Sequence, residues 1–166
     1  MKSSTLKAKL ATLSFFEFAI WGTYLVSMGM FLYHVGLGQE IFLFYMVQGL
    51  VSLFMPAVMG IVADRWVPSQ RLLGICHFLA GGFMIAAASY GLSAGDHVEF
   101  STLFTYYALS VAFYMPTLAL SNAVAFNGLT KAGLDTVRDF PPIRVFGTIG
   151  FICTLLAVTF CGCQAT

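Results

Sequence analysis

The sequence predicts an all-α integral membrane protein with five transmembrane helices, on three observations. First, five apolar stretches are each long enough to cross a bilayer core, which takes roughly 20 helical residues. Second, hydrophobic residues make up 59% of the 166-residue chain and charged residues 9%, against about 25% charged residues in an average soluble chain. Third, all eight Lys and Arg lie in segments on one side of the stretches. Backbone polar groups in lipid must be satisfied internally, so helices are the expected form. The stretches do not alternate polar and apolar residues as barrel strands do. The net charge of +1 says little, since the distribution of charge carries the signal, and no basic face for nucleic acid is seen.

The approximate spans are 10–33, 41–63, 72–95, 100–127 and 143–163. The first follows a basic tail holding Lys2, Lys7 and Lys9. Its apolar run is too long for a cleaved signal core, and no small-x-small cleavage site follows. One acid, Glu17, interrupts it. The second span contains Pro56 and the fourth Pro116, each expected to bend its helix. The third carries Gly74, Gly81 and Ala88 every seven residues, with Gly82 beside them. Such small residues predict close packing between membrane helices. His77, its ionisable group, reads as a hydrogen-bonded helix contact ahead of a proton relay. Connections of about 7, 8, 4 and 14 residues predict an antiparallel up-down bundle without a soluble domain. Arg65 and Arg71 lie between spans two and three, Lys131 and Arg138 between spans four and five, and Arg144 at the adjoining edge of span five. The two remaining connections hold only Glu40, Asp96 and Glu99 as charges. By the positive-inside rule the N-terminus is cytoplasmic and the C-terminus external. Cys76, Cys153, Cys161 and Cys163 all fall within spans. Without metal-site spacing they read as small apolar helix residues.

Four helices carry polar stripes. Ser14, Glu17, Trp21 and Tyr24 share one face of the first span, and Ser110, Tyr114, Thr117 and Ser121 one face of the fourth. Tyr45, Gln48 and Ser52 lie on the second, and Arg144, Thr148 and Phe151 follow i, i+4, i+7 spacing at the start of the fifth. Together the stripes predict a hydrated cavity, although single Ser and Thr residues also bond back to their own helix. Glu17 lies seven residues inside the apolar edge, about 10 Å deep at the helical rise. A carboxylate there is costly and must face water or a partner. It is a candidate for proton coupling or for holding the cavity, with Trp21 and Tyr24 beside it. A structural carboxyl is the alternative.

Two motifs carry a family resemblance. Gly60-Ile-Val-Ala-Asp64-Arg65, at the inner end of span two, is similar to the G-x-x-x-D-[RK] motif of the major facilitator superfamily. The glycine is expected to permit close helix approach and the acid to hold one conformation. The usual glycine and basic doublet after it are replaced by Trp66, Val67 and Pro68. The segment Asp139-Phe-Pro-Pro-Ile-Arg144-Val-Phe-Gly147-Thr148-Ile-Gly150-Phe151 is more specific. With Phe54-Met-Pro-Ala57, Ile75-Cys-His77 and Tyr114-Met-Pro-Thr-Leu118, it resembles the nucleoside:proton symporter branch of that superfamily.

The resemblance implies twelve helices in two six-helix halves. This chain, 1–166, would supply five helices of the first half, as a partial N-terminal transmembrane domain without its C-terminal half. It implies nucleoside uptake by proton symport with alternating access in a bacterial inner membrane, with nucleoside, protons and lipid as partners and no cofactor or metal. Arg144, Thr148 and Phe151 match positions that contact nucleoside. Read from the residues alone, Arg144 is also compatible with a cytoplasmic anchor that snorkels to lipid phosphate. A permease for another polar solute such as a sugar, and a non-transporting membrane fragment or interaction protein, remain the alternatives. No intramembrane H-E-x-x-H, G-x-S-x-G or Asp pair supports an enzyme.

Overall fold

Five long helices account for most of the chain. The computed structural model describes residues 3–162. Met1, Lys2, residues 163–166 and the side chain of Asp96 lie outside the described part, and with them the readings made for Lys2, Asp96 and Cys163. The helices are α1 (Ser3–His34), α2 (Ile41–Arg65), α3 (Ser69–Ala94), α4 (Phe100–Lys131) and α5 (Thr136–Phe160). Short 3-10 turns, Gly38–Glu40 and Gly95–His97, precede α2 and α4. Each of the five is long and apolar enough to cross a membrane. Phe78, Leu92 and Phe160 expose 86%, 85% and 85% of their surface, which suits lipid and not water.

The helix ends have local causes. After α1, Leu37 N–H reaches Leu32 O at 2.8 Å and Gly36 N–H reaches Tyr33 O at 3.3 Å, with Gly36 at φ 82°. After α4, Leu134 N–H reaches Leu129 O and Gly133 N–H reaches Thr130 O, both at 3.0 Å, with Gly133 at φ 68°. Both are Schellman endings, in which glycine takes the left-handed conformation that other residues resist. The start of α5 differs from expectation. The connection read as about 14 residues shrinks to 132–135, because Asp135 caps the helix. Its carboxylate accepts from Val137 N at 2.9 Å and Arg138 N at 3.4 Å. Pro141 and Pro142 therefore lie inside α5, in its second turn. They deprive the carbonyls of Val137 and Arg138 of helical partners. Those residues are exposed, so water or headgroups can serve them.

The chain divides into two compact units. The first joins Met1–Met28 to Ser121–Thr166, and the second is Gly29–Leu120. In the first, Leu10, Ala125, Leu129 and Ile143 form a buried cluster with Leu6, Leu134 and Phe140 packed against it. Phe126 and Phe140 stack at 4.2 Å. In the second, Phe44 is fully buried among the rings of Phe100, Phe104 and Tyr107. Tyr107 donates to Gln48 Oε1 at 3.0 Å, and Ser110 to Ala80 O at 2.8 Å.

The small-residue stripe expected on span three is corrected. A Cβ added at Gly74, Gly81 or Gly82 would meet open space. Helix α3 instead buries Cys76, Ala80, Ala87 and Gly91. These positions also form one helical stripe, at i, i+4, i+11 and i+15. A Cβ at Gly91 would come within 2.7 Å of the Phe31 ring.

Candidate functional site

Within the first unit, α1 and α5 run parallel and close. Lys7 Nζ pairs with Asp139 Oδ1 at 2.7 Å near their starts. Further along, Gly147 faces Ser14 and Phe18, Gly150 faces the backbone of Phe15, and Gly22 faces Phe151 and Thr154. Thr154 Oγ1 donates to Ala19 O at 2.9 Å. Both residue numbers climb together, so the two helices point the same way. Three glycines make the approach possible. A Cβ at Gly150 would collide with Phe15 backbone atoms, and one at Gly22 would lie 2.6 Å from Phe151 O. One at Gly147 would lie 2.7 Å from the Phe18 ring and 2.8 Å from Ser14 Oγ.

The sequence-derived residues of α5 meet α1 on this seam. Arg144 stands eight residues beyond Thr136, about 12 Å along the helix. Its guanidinium carbon lies 3.8 Å from the centroid of the Phe18 ring. A cation held on a ring face is stabilised by the ring quadrupole. That contact uses none of the five N–H donors, which point outward in the guanidinium plane. About two turns further along α5, the Phe151 ring meets that of Trp21 edge-on, with centroids 5.6 Å apart. Thr148, between Arg144 and Phe151 on the same face, is exposed. The structure thus brings Arg144 and Phe151 onto one continuous α1–α5 surface.

Glu17 is 2% exposed and Ser14 8%. Trp21 and Tyr24 are half-buried. The sequence reading missed Phe18, the ring under Arg144. Its signal was present: Ser14, Phe18 and Trp21 repeat the i, i+4, i+7 spacing of Arg144, Thr148 and Phe151.

Other candidates fall in the second unit. Gly60 lies near the end of α2, and Asp64 and Arg65 close it, both exposed. A Cβ at Gly60 would meet nothing within 4 Å, so within this chain the glycine makes no close helix approach. The polar stripes of spans two and four are partly spent on internal bonds. Gln48 accepts from Tyr107 and Ser110 donates to Ala80, as above, while Thr117 Oγ1 donates to Tyr114 O within its own helix. His77 Nδ1 lies 2.9 Å from Leu73 O, and its ring packs edge-on to Tyr114 of α4. Among the described residues, no three His, Cys, Asp or Glu side chains are grouped to hold a metal.

The family model described as nucleoside H+ symporter matches residues 4–166. A xanthosine permease of Escherichia coli K12 is 37% identical over 153 residues, covering 91% of this chain and 35% of the permease. The nucleoside permease NupG of the same organism is 37% identical over 160 residues, 95% of this chain and 36% of that protein. The chain thus spans about a third of the length of these relatives. The crystal structure of a mutant of the nucleoside transporter NupG superposes with a TM-score of 0.87 at 35% identity, over 96% of this chain and 38% of that one. Its fold is therefore shared: five membrane helices of a major facilitator superfamily half. On the match over nearly all its length, the chain belongs to the nucleoside H+ symporter family.

Proposed function

We propose that this chain is the N-terminal portion of a transporter that takes up nucleosides by proton symport. The relatives it resembles are a xanthosine permease and a nucleoside permease. The observation that carries the reading is the α1–α5 surface. There Arg144 rests on Phe18 and Phe151 meets Trp21. A nucleoside offers a flat base and a ring of oxygen acceptors. Phe151 supplies a stacking face for the base, as aromatic side chains do for nucleobases generally. Arg144 supplies planar donors to base carbonyls or ribose oxygens, and the exposed Thr148 hydroxyl can exchange hydrogen bonds with a sugar hydroxyl. Glu17, buried on the same helix as Phe18 and Trp21, is the proposed proton-coupling or cavity-holding group. Gly60, Asp64 and Arg65 are proposed to stabilise one state of the alternating-access cycle.

The protein works in this reading as a transporter and not as an enzyme, in a bacterial inner membrane with its N-terminus in the cytoplasm. The second half of the transporter would complete the cavity. The test is uptake of labelled uridine by the complete transporter in proteoliposomes. Accumulation is expected with the outside acidic and is expected to collapse when a protonophore removes the gradient. Competition by unlabelled nucleosides, and none by sugars, separates this reading from a general permease. Uptake indifferent to the gradient would exclude symport, and no uptake of uridine, adenosine or xanthosine would exclude the substrate class.

A further inference from the structure

The Trp21 indole nitrogen is buried and has no hydrogen-bond partner among the described residues. A buried N–H without an acceptor is disfavoured, because it has given up water and gained nothing in return. If packing were the side chain's whole role, phenylalanine would fill the place without that penalty. The Trp21 ring touches residues proposed to hold the nucleoside. It meets Phe151 at 5.6 Å between centroids and Phe18 at 6.3 Å, and Phe18 carries the Arg144 guanidinium. Arg144, Phe18, Trp21 and Phe151 thus form one run of contacts along α1 and α5.

On the proposed nucleoside reading, we infer that Trp21 is a specificity-determining residue whose indole N–H donates to one acceptor oxygen of the bound nucleoside. The indole offers a donor and no acceptor. It therefore favours a carbonyl or ribose oxygen at its position. A ligand group that can only donate leaves the N–H unpaired, and sites built on such a bond discriminate strongly against that loss.

Competition against labelled uridine in the complete transporter tests this. Wild type and Trp21→Phe are compared with uridine, its 2′-, 3′- and 5′-deoxy forms, 2-thiouridine and cytidine. Each analogue removes or replaces one oxygen. Trp21→Phe keeps an aromatic ring and deletes the N–H. It is expected to weaken uridine by about 3- to 10-fold, the usual worth of one hydrogen bond. One analogue should be weakened in wild type by a similar factor and lose nothing further in Trp21→Phe. That coincidence identifies the oxygen. Trp21→His, which restores a ring N–H, should recover part of the loss. Unchanged uridine affinity in membrane-inserted Trp21→Phe would overturn the inference. So would an equal loss for every analogue, which would mark a packing effect, or no recovery in Trp21→His. Wild-type protein that binds no nucleoside would instead overturn the proposed function on which the inference rests.

Discussion

Arg144 is set apart from the other cations by what holds it. Lys7 pairs with a carboxylate, whereas the Arg144 guanidinium lies on the ring of Phe18. A lysine at position 144 would keep the charge and lose the planar fork. Arg144→Lys is therefore expected to cut nucleoside uptake by the complete transporter about 10-fold or more, as loss of a charge-assisted hydrogen bond does. Uptake at the wild-type level, with equal protein in the membrane, would favour a snorkelling anchor. Glu17 permits a sharper separation. Glu17→Gln keeps the shape of the buried side chain but can no longer release a proton. Gradient-driven accumulation should be lost, while exchange of nucleoside at equal pH continues. Accumulation that persists would make Glu17 structural. At this scale the site was only partly legible. Arg144, Thr148 and Phe151 stood out by spacing and residue type. Phe18 did not, because a phenylalanine in an apolar helix looks the same facing lipid, core or guanidinium.

Glycine placement decides how the elements meet. The five helices were visible in the sequence because lipid leaves the backbone only helices or closed barrels, and the spans lack a barrel's alternation. Their contacts were less so: a glycine in an apolar helix does not show whether a neighbour faces it. The periodic glycines of α3 drew attention, yet a Cβ at Gly81 meets open space. Gly150, less conspicuous, lies against the backbone of Phe15. The beginning of α5 was hidden for another reason. Pro141 and Pro142 argue against helix, while the Asp135 cap and an exposed first turn allow it. The glycine contrast is measurable by thermal unfolding in detergent. Gly150→Ala is expected to destabilise by about 1–3 kcal/mol, the usual cost of overpacking, because backbone cannot rotate aside as a side chain can. Gly81→Ala is expected to unfold at the wild-type temperature. Equal stability of the two variants would show that α1 and α5 can separate at Gly150 without loss.

At the scale of the whole molecule, two independent features bear on topology. The parallel course of α1 and α5 requires both to cross the membrane in the same sense, with an odd number of crossings between them to return the chain. Three intervening helices, α2 to α4, bring it back to the side from which α1 began. The charges then predict which side that is. With each helix crossing once, Lys7 and Lys9 at the start of α1, Arg65 and Arg71 at the α2–α3 connection, and Lys131 and Arg138 around the α4–α5 connection are expected on it. The opposite connections, at Gly36 and Gly95, hold no Lys or Arg. Cations near helix ends are retained in the cytoplasm during insertion. A reporter enzyme that folds only outside the cytoplasm should accordingly be active when fused after Gly36, after Gly95 or after Thr166, and silent after Pro68 or Gly133. The inverse pattern would reverse the orientation. Activity at both sides would mean that the cation asymmetry is too weak to hold this chain in one orientation, and the effect of adding Lys residues beside Gly95 would then measure how weak it is.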